Sequence, residues 1–150
     1  YIEGLQESIS PSYASHTYVG RSEPVYTYER GEREISMTLK LFAQTSDELT
    51  VIYEKMDRLT SMCYPEYFDD TYGNRMKPPL AKMRYGDLYG KNGKDVMGYI
   101  KSLSYSVEQS SPYETEPGKR VPKFVTATIG YQVIHDKAPR LGTKFYGINQ

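Results

Sequence analysis

Residues 35–49 read ISMTLKLFAQTSDEL and decide the fold, because a strand pattern gives way to a helix pattern within them. From Ile35 to Leu41, apolar residues alternate with Ser, Thr and Lys, which is typical of a β-strand with one apolar face. Thr45 is a suitable N-cap, and Glu48 three positions later completes a capping box. The apolar residues that follow recur on one helical face: Leu49, Ile52, Tyr53, Met56, Leu59 and Cys63. With Pro65 as the stop, the pattern predicts a helix over about residues 46–63.

The rest of the chain predicts strands and loops. Residues 80–89, 99–107 and 125–133 alternate apolar and polar side chains, which places most strand tyrosines on the buried face: Tyr85, Tyr99, Tyr105 and Tyr131. Polar, proline-containing residues predict loops over 66–79 and 109–122. We therefore expect one helix across one face of a curved antiparallel sheet, whose other face is solvated or lines a channel.

Residues about 1–24 are predicted to form an extended or irregular N-terminal arm. The segment 8–22 is rich in Ser, Tyr, Thr and Pro, and Pro24 precedes a short β-prone run at residues 25–28. We expect one domain over residues 1–150, since this length is typical of a single domain. The lack of an initiator Met indicates a processed chain or a piece of a longer one.

Composition favours an assembling structural protein over an enzyme. Lys and Arg balance Asp and Glu, and a net charge of zero argues against general polyanion binding and lets copies associate. One cysteine excludes an internal disulfide. With 16 Tyr and no Trp, the chain suits half-buried sheets and subunit interfaces, because tyrosine has an apolar ring and a polar tip.

The familiar catalytic and metal-binding patterns do not occur in the sequence. His16 and His135 lie in no catalytic frame, and Cys63 falls on the apolar helix face. The acidic residues at 66–70 lack the ligand spacing of a calcium loop, and residues 90–94 predict a hairpin turn at Asn-Gly and not a phosphate loop. No stretch is long and apolar enough for a transmembrane helix. We expect no enzyme activity, cofactor, metal or membrane insertion, although a hydrolase site assembled only by the fold stays open.

The order of several segments resembles a known class of structural proteins. Residues 23–28 (EPVYTY) and 33–37 (REISM) precede the helix, which closes at 64–67 (YPEY); residues 98–104 (GYIKSLS) and the strand after 121–123 (VPK) follow. Over about residues 20–140, the chain resembles the tail-tube-like domains of tube-initiator and baseplate-hub proteins of bacteriophage tails and related contractile injection systems.

This resemblance implies a fold and a role. The fold is α+β, mainly β: an antiparallel β-sandwich or barrel of about four to six strands with one flanking helix, repeated as a homohexameric ring around a channel. The role is a virion structural protein that forms or connects a ring at the junction of baseplate hub and tail tube. Its partners are copies of itself and tail tube, hub and baseplate wedge proteins, without specific nucleic-acid binding, and it is assembled in the host cytoplasm.

The expected interface residues lie at the end of the arm and at the tip of the predicted hairpin. They are Tyr26, Tyr28, Arg30, Arg33, Lys91, Asn92 and Lys94. Two alternatives remain: a baseplate adaptor that forms no closed ring, and a carbohydrate-binding module that uses tyrosine rings as sugar platforms. The second needs exposed aromatic rings on one sheet face, whereas the alternation predicts that most strand tyrosines are buried.

Overall fold

The computed structural model describes residues 1–68, 75–90 and 93–149. In these residues, the strands are β1 (Ile2–His16), β2 (Val25–Phe42), β3 (Glu66–Phe68), β4 (Arg75–Lys77), β5 (Ala81–Met83), β6 (Val96–Ser106) and β7 (Phe124–Val133). The helix α1 (Ser46–Ser61) connects β2 to β3, and a short 3₁₀ turn occupies Gly147–Asn149.

Five of the strands form one antiparallel sheet in the order β1-β2-β7-β6-β5, and β3 pairs only with β4. This arrangement confirms the α+β, mainly β class with one helix. The main sheet is open in the described part of the chain, because β1 and β5 stand at its two edges and are not paired with each other. The sandwich or barrel implied by the resemblance is therefore not closed within a single chain.

The core lies on one face of this sheet and follows the register between β2 and β7. Ile35 pairs with Tyr131, and the pairs continue in steps of two residues to Leu41 and Val125. Because directly opposite residues share a face, the apolar sides of both strands coincide. The buried residues of β7 are those predicted from its alternation: Val125, Ala127, Ile129, Tyr131 and Val133.

A β-bulge at Lys101 corrects the predicted face of β6. Ile100 pairs with Tyr131, but the next pair along the strands is Ser102 with Gly130, so one extra residue reverses the alternation. Tyr99 consequently lies opposite Gln132, on the face away from the core. Of the four strand tyrosines expected to be buried, only Tyr131 is, at 3% exposure. The other three are 36–38% exposed: Tyr85, Tyr99 and Tyr105.

The predicted helix is confirmed and ends at Ser61. The Thr45 side chain accepts from the backbone N–H of Glu48, and the Glu48 carboxylate accepts from the backbone N–H of Thr45, as the capping box requires. Leu49 is the helix residue that is fully buried. The Tyr53 hydroxyl donates to the carbonyl of Pro122 at 3.1 Å, which ties the helix to the loop before β7.

The N-terminal segment differs most from the expectation, because most of the predicted arm is a regular strand. β1 pairs along its length with β2, and the charged residues 29–33 that were expected to follow a short strand lie inside β2. The predicted loop at 66–79 contains β3 and β4, and the predicted strand at 80–89 is reduced to β5. Residues 91 and 92 of the predicted hairpin turn lie outside the described residues.

Candidate functional site

A two-stranded ribbon projects beyond the main sheet. β7 pairs with β2 only over residues 34–42, whereas β1 pairs with β2 over residues 25–33 as well. In the described part of the chain, residues 9–16 and 25–33 therefore have no third strand beside them; we call them the β1–β2 ribbon. A two-stranded hairpin is only marginally stable alone in water, so this ribbon is suited to being covered by another surface.

One face of the ribbon is lined by tyrosines. Tyr13 lies opposite Tyr28, and Ser15 lies opposite Tyr26, so the three tyrosines share a face. We call this set the tyrosine face. Its members are 57–67% exposed, and the rings of Tyr13 and Tyr28 meet edge to face with centroids 5.4 Å apart. Exposed tyrosine rings held on a strand are typical of protein interfaces, since they bury much area at little cost in side-chain entropy.

The structure places the predicted interface residues in different environments. Tyr26, Tyr28 and Arg30 lie exposed on the β1–β2 ribbon, where the side chain of Arg30 is 72% exposed and 3.2 Å from Glu32. Lys94 is exposed at the start of the segment before β6, and Arg33 is buried. Lys91 and Asn92 lie outside the described residues. That any of these residues contacts a neighbour stays a prediction.

Arg33 was expected at an interface, and this expectation is corrected by its burial. It is only 5% exposed, and its Nε forms a short ion pair with the Glu7 carboxylate across the β1–β2 pairing. Its guanidinium also lies 5.4–5.8 Å from the ring centroids of Tyr89, Phe145 and Tyr146. Arg33 faces inward because it is two positions from Ile35 and so shares the core face of β2.

Glu7 connects the residues around Arg33, which we call the Arg33 cluster: Glu7, Arg33, Tyr89, Phe145 and Tyr146. The hydroxyls of Tyr146 and Tyr89 donate to the Glu7 carboxylate at 2.9 and 3.2 Å. Burial acts to raise the pKa of Glu7, but the hydrogen bonds from Arg33, Tyr146 and Tyr89 outweigh it and hold the pKa below its usual value. Burial, reinforced by the Glu7 charge, raises the pKa of Tyr89 to about 12.

A groove of about 490 Å³ lies beside the Arg33 cluster, and we call it the basic groove. Arg33, His135 and Phe145 line it, together with Lys82, Lys94, Lys137 and Lys144; its acidic lining residues are Asp95 and Asp136. Burial, followed by the charge of Arg33, lowers the pKa of His135. The His135 imidazole is therefore neutral at pH 7 and meets the ring of Phe145 edge to face at 6.0 Å.

The cluster and the groove were missed by reasoning from sequence. Glu7 lies in the segment expected to be an irregular arm, and its partner Tyr146 is 139 positions away along the chain. Neither residue carries a periodic or motif signal. The position of Arg33 was a clue, because it lies two residues before Ile35 and four before Met37. This spacing places Arg33 on the apolar face of the strand.

The face of the sheet opposite the core is rich in hydroxyl groups. Thr38 and Ser104 both lie opposite Thr128, and Ser106 lies opposite Thr126. The charges on this face include Glu34 and Lys101, which form an ion pair of 2.7 Å. We call this surface the hydroxyl face; it agrees with the prediction of a polar second face.

The side chains that could bind a metal ion form no metal site in the described residues. No set of three or more His, Cys, Asp and Glu side chains is placed there to hold a metal ion. Burial raises the pKa of the Cys63 thiol, which is half-buried near the Leu59 carbonyl and is thus poorly reactive. Glu66 of the acidic cluster lies 3.5 Å from Lys77, and Asp69 and Asp70 lie outside the described residues. Among the helices described, none is long and apolar enough to cross a membrane.

The comparisons with known proteins add no relative. No protein-family model matches the chain, and no curated protein matches it. The function is therefore argued from the surfaces described above.

Proposed function

We propose that this protein is a virion structural subunit of a bacteriophage tail that forms or connects a ring at the junction of the baseplate hub and the tail tube. The proposal joins the resemblance of the segment order to the exposed surfaces of the fold. In it, assembly is geometric: copies associate through the β1–β2 ribbon and the sheet edges, and no chemical step is involved.

The observation that carries the proposal is the tyrosine face on a ribbon that has no third strand. Tyr13, Tyr26 and Tyr28 are positioned by the pairing of thirteen residues of β1 with β2. Nothing in the described chain covers the three tyrosine rings. A neighbouring subunit that packs on this face would bury the rings and support the ribbon. Because tyrosines at the centre of interfaces often dominate binding energy, these residues are the expected anchors.

The hydroxyl face supports the ring part of the proposal. The inner surface of such a ring must let a polyanion pass through the channel without binding it. The surface therefore needs polar side chains without an excess of basic ones. Thr38, Thr126 and Thr128 meet this description, and the charge of Lys101 is offset by Glu34. The open edge strand β1 offers backbone donors and acceptors for pairing with another copy, and closure of a ring would remove such edges.

The test is the mass and symmetry of the purified chain, measured by mass photometry and negative-stain class averages. A closed ring, most informatively a six-fold one, is expected for the wild type, with the purified hub or tube ring added as a template where the chain alone stays monomeric. The double variant Tyr26→Ser/Tyr28→Ser should weaken association at least about tenfold, since each anchor contributes more than about 1 kcal/mol.

The matched control is Tyr64→Ser, which removes a ring that is as exposed as Tyr26 but lies just after the helix. Rings should form normally with this variant. Association that is unchanged in the Tyr26/Tyr28 double variant would overturn the assignment of the tyrosine face. A wild-type chain that stays monomeric with every template would overturn the ring and leave the adaptor.

The carbohydrate-binding alternative is supported by the exposed tyrosines, but the arrangement of their rings does not suit sugar binding. Tyr99 and Tyr105 are partly exposed on opposite faces of β6, and Tyr13 meets Tyr28 edge to face, so the rings do not form one flat platform. Binding of soluble glycans that is lost in the double variant, with assembly unchanged, would favour this module over the ring subunit.

A further inference from the structure

The basic groove contains a buried hydrogen-bond donor that the chain itself leaves unused. Nη2 of Arg33 is inaccessible to solvent and has no hydrogen-bond partner in the described residues, whereas Nε of the same guanidinium pairs with Glu7. A buried donor on a charged group is costly when unpaired, and it is the kind of group that a bound acceptor satisfies. Arg33 is also part of the groove lining.

The charges around the groove favour an anion. Five cationic residues line it, Arg33 and four lysines, against two carboxylates, Asp95 and Asp136. The chain as a whole has no net charge, so this surplus is local. Lys82, Lys94 and Lys137 form no salt bridge with any residue of the described ranges, which leaves their ammonium groups to solvent.

The groove also has the size and walls of a binding site for a small group. Its volume of about 490 Å³ falls within the usual range for ligand pockets, and Val96, Met97, Val133 and Phe145 supply apolar walls. His135 adds a ring N–H that can donate to an acceptor.

We propose that the basic groove binds an oxyanion group, carboxylate or phosphate, which lies beside Arg33 and among Lys82, Lys94 and Lys137. Guanidinium and ammonium groups bind both kinds of oxyanion through charge-assisted hydrogen bonds. The site is separate from the tyrosine face and does not depend on ring assembly, so the two proposals can fail independently.

The two histidines provide a built-in test by NMR. His135 lines the groove, while His16 ends β1 on the projecting ribbon. Inorganic phosphate, and in a second series acetate, is titrated into the isotope-labelled chain at constant pH and constant ionic strength, with chloride as the balancing anion. We expect a saturating shift of the His135 imidazole signals and no shift of His16. Saturation by phosphate alone assigns a phosphate site, and saturation by acetate assigns a carboxylate site.

Two variants connect the signal to the groove. Lys94→Ala/Lys137→Ala removes exposed lysines, and Arg33→Lys keeps a cation beside Glu7 while removing the planar guanidinium; each should weaken binding by about tenfold. The matched control Lys55→Ala removes an exposed lysine on the helix, outside the groove, and should leave affinity unchanged. If Arg33→Lys does not fold, the lysine double variant decides alone. No saturating His135 shift with either anion, or equal affinity in the lysine double variant and wild type, would overturn the site.

Discussion

Arg30 and Arg33 lie three residues apart on the same strand and have opposite environments. Arg30 is exposed and pairs with Glu32, a close neighbour in sequence, whereas Arg33 is buried and pairs with Glu7 of the adjacent strand. The difference arises from what covers each side chain. Arg33 is the last residue of the ribbon, where the rings of Tyr89, Phe145 and Tyr146 lie over its guanidinium, whereas Arg30 lies farther along the ribbon and is exposed.

This comparison indicates that one part of β2 stabilises the single chain and another part is available for association with a neighbour. In the Arg33 cluster, three aromatic rings and a carboxylate surround one guanidinium, so each group is held by several others. On the tyrosine face, the rings contact one another and solvent. The same residue types thus stabilise the single chain in one place and leave surface for a neighbour in the other.

The largest expected effect is that of Arg33→Ala. Removing the guanidinium leaves the Glu7 carboxylate buried without its cation, a change that typically costs about 3–5 kcal/mol of unfolding free energy. Urea unfolding followed by circular dichroism measures the loss. A cost of less than about 1 kcal/mol would contradict the role assigned to the Arg33 cluster.

Gly98 lies in the core and Gly31 on the ribbon, so the addition of one methyl group can be compared in the two regions. At Gly98, an added Cβ would collide with the Gln132 carbonyl and lie 2.9 Å from the Tyr131 ring. At Gly31, it would meet only the Tyr28 hydroxyl at 2.5 Å, which is the end of a side chain that can move. Gly98→Ala should therefore cost about 1–3 kcal/mol or more, and Gly31→Ala much less. Thermal melts of both variants measure this, and equal losses would contradict the contrast.

Alkaline titration tests the burial of Tyr89 and Tyr131. The pKa values of Tyr89 and Tyr131 are raised to about 12, in both cases mainly by burial. Below pH 10, these tyrosines are protonated in the folded and unfolded chain alike, so stability is unaffected. Between pH 10 and about 12, the unfolded chain loses the protons first, and the free energy of unfolding should fall as pH rises.

Tyrosinate absorbance and urea unfolding across this pH range test that expectation. A late phase of ionisation near pH 12 should coincide with the loss of structure, and Tyr89→Phe should reduce the slope of unfolding free energy against pH. A single phase near pH 10 with unchanged stability would show that neither hydroxyl is protected from ionisation.

Much of the local structure could be predicted from the sequence. The capping box at Thr45 and the alternation of β7 are local patterns, and both occur as expected. The prediction that Tyr99 lies on the buried face was wrong, because a bulge depends on the partner strand and is not visible in the hydropathy pattern. The strand β1 was missed because its Ser-rich sequence has weak β-propensity, and its pairing with β2 supplies what propensity does not.

The Arg33 cluster could not be predicted for a different reason. Its members come from the two ends of the chain and the middle, and they meet only when the sheet and the C-terminal segment pack together. The exposed surface was easier to foresee. Tyr26, Tyr28 and Arg30 were predicted from their place at the end of the N-terminal arm, and all three are exposed.

The smallest expected effects are those on the ribbon of the isolated chain. Arg30→Ala should change the unfolding free energy by no more than about 0.5 kcal/mol, since exposed ion pairs contribute little. Tyr28→Ala should cost about 0.5–1.5 kcal/mol, because it removes one edge-to-face partner but no core contact. Urea unfolding at concentrations where the chain is monomeric measures both.

If the same variants reduce the stability of the assembled form much more than that of the monomer, the excess is the energy of the interface. Equal effects in the two states would mean that the ribbon is stabilised within its own chain and that subunits meet elsewhere.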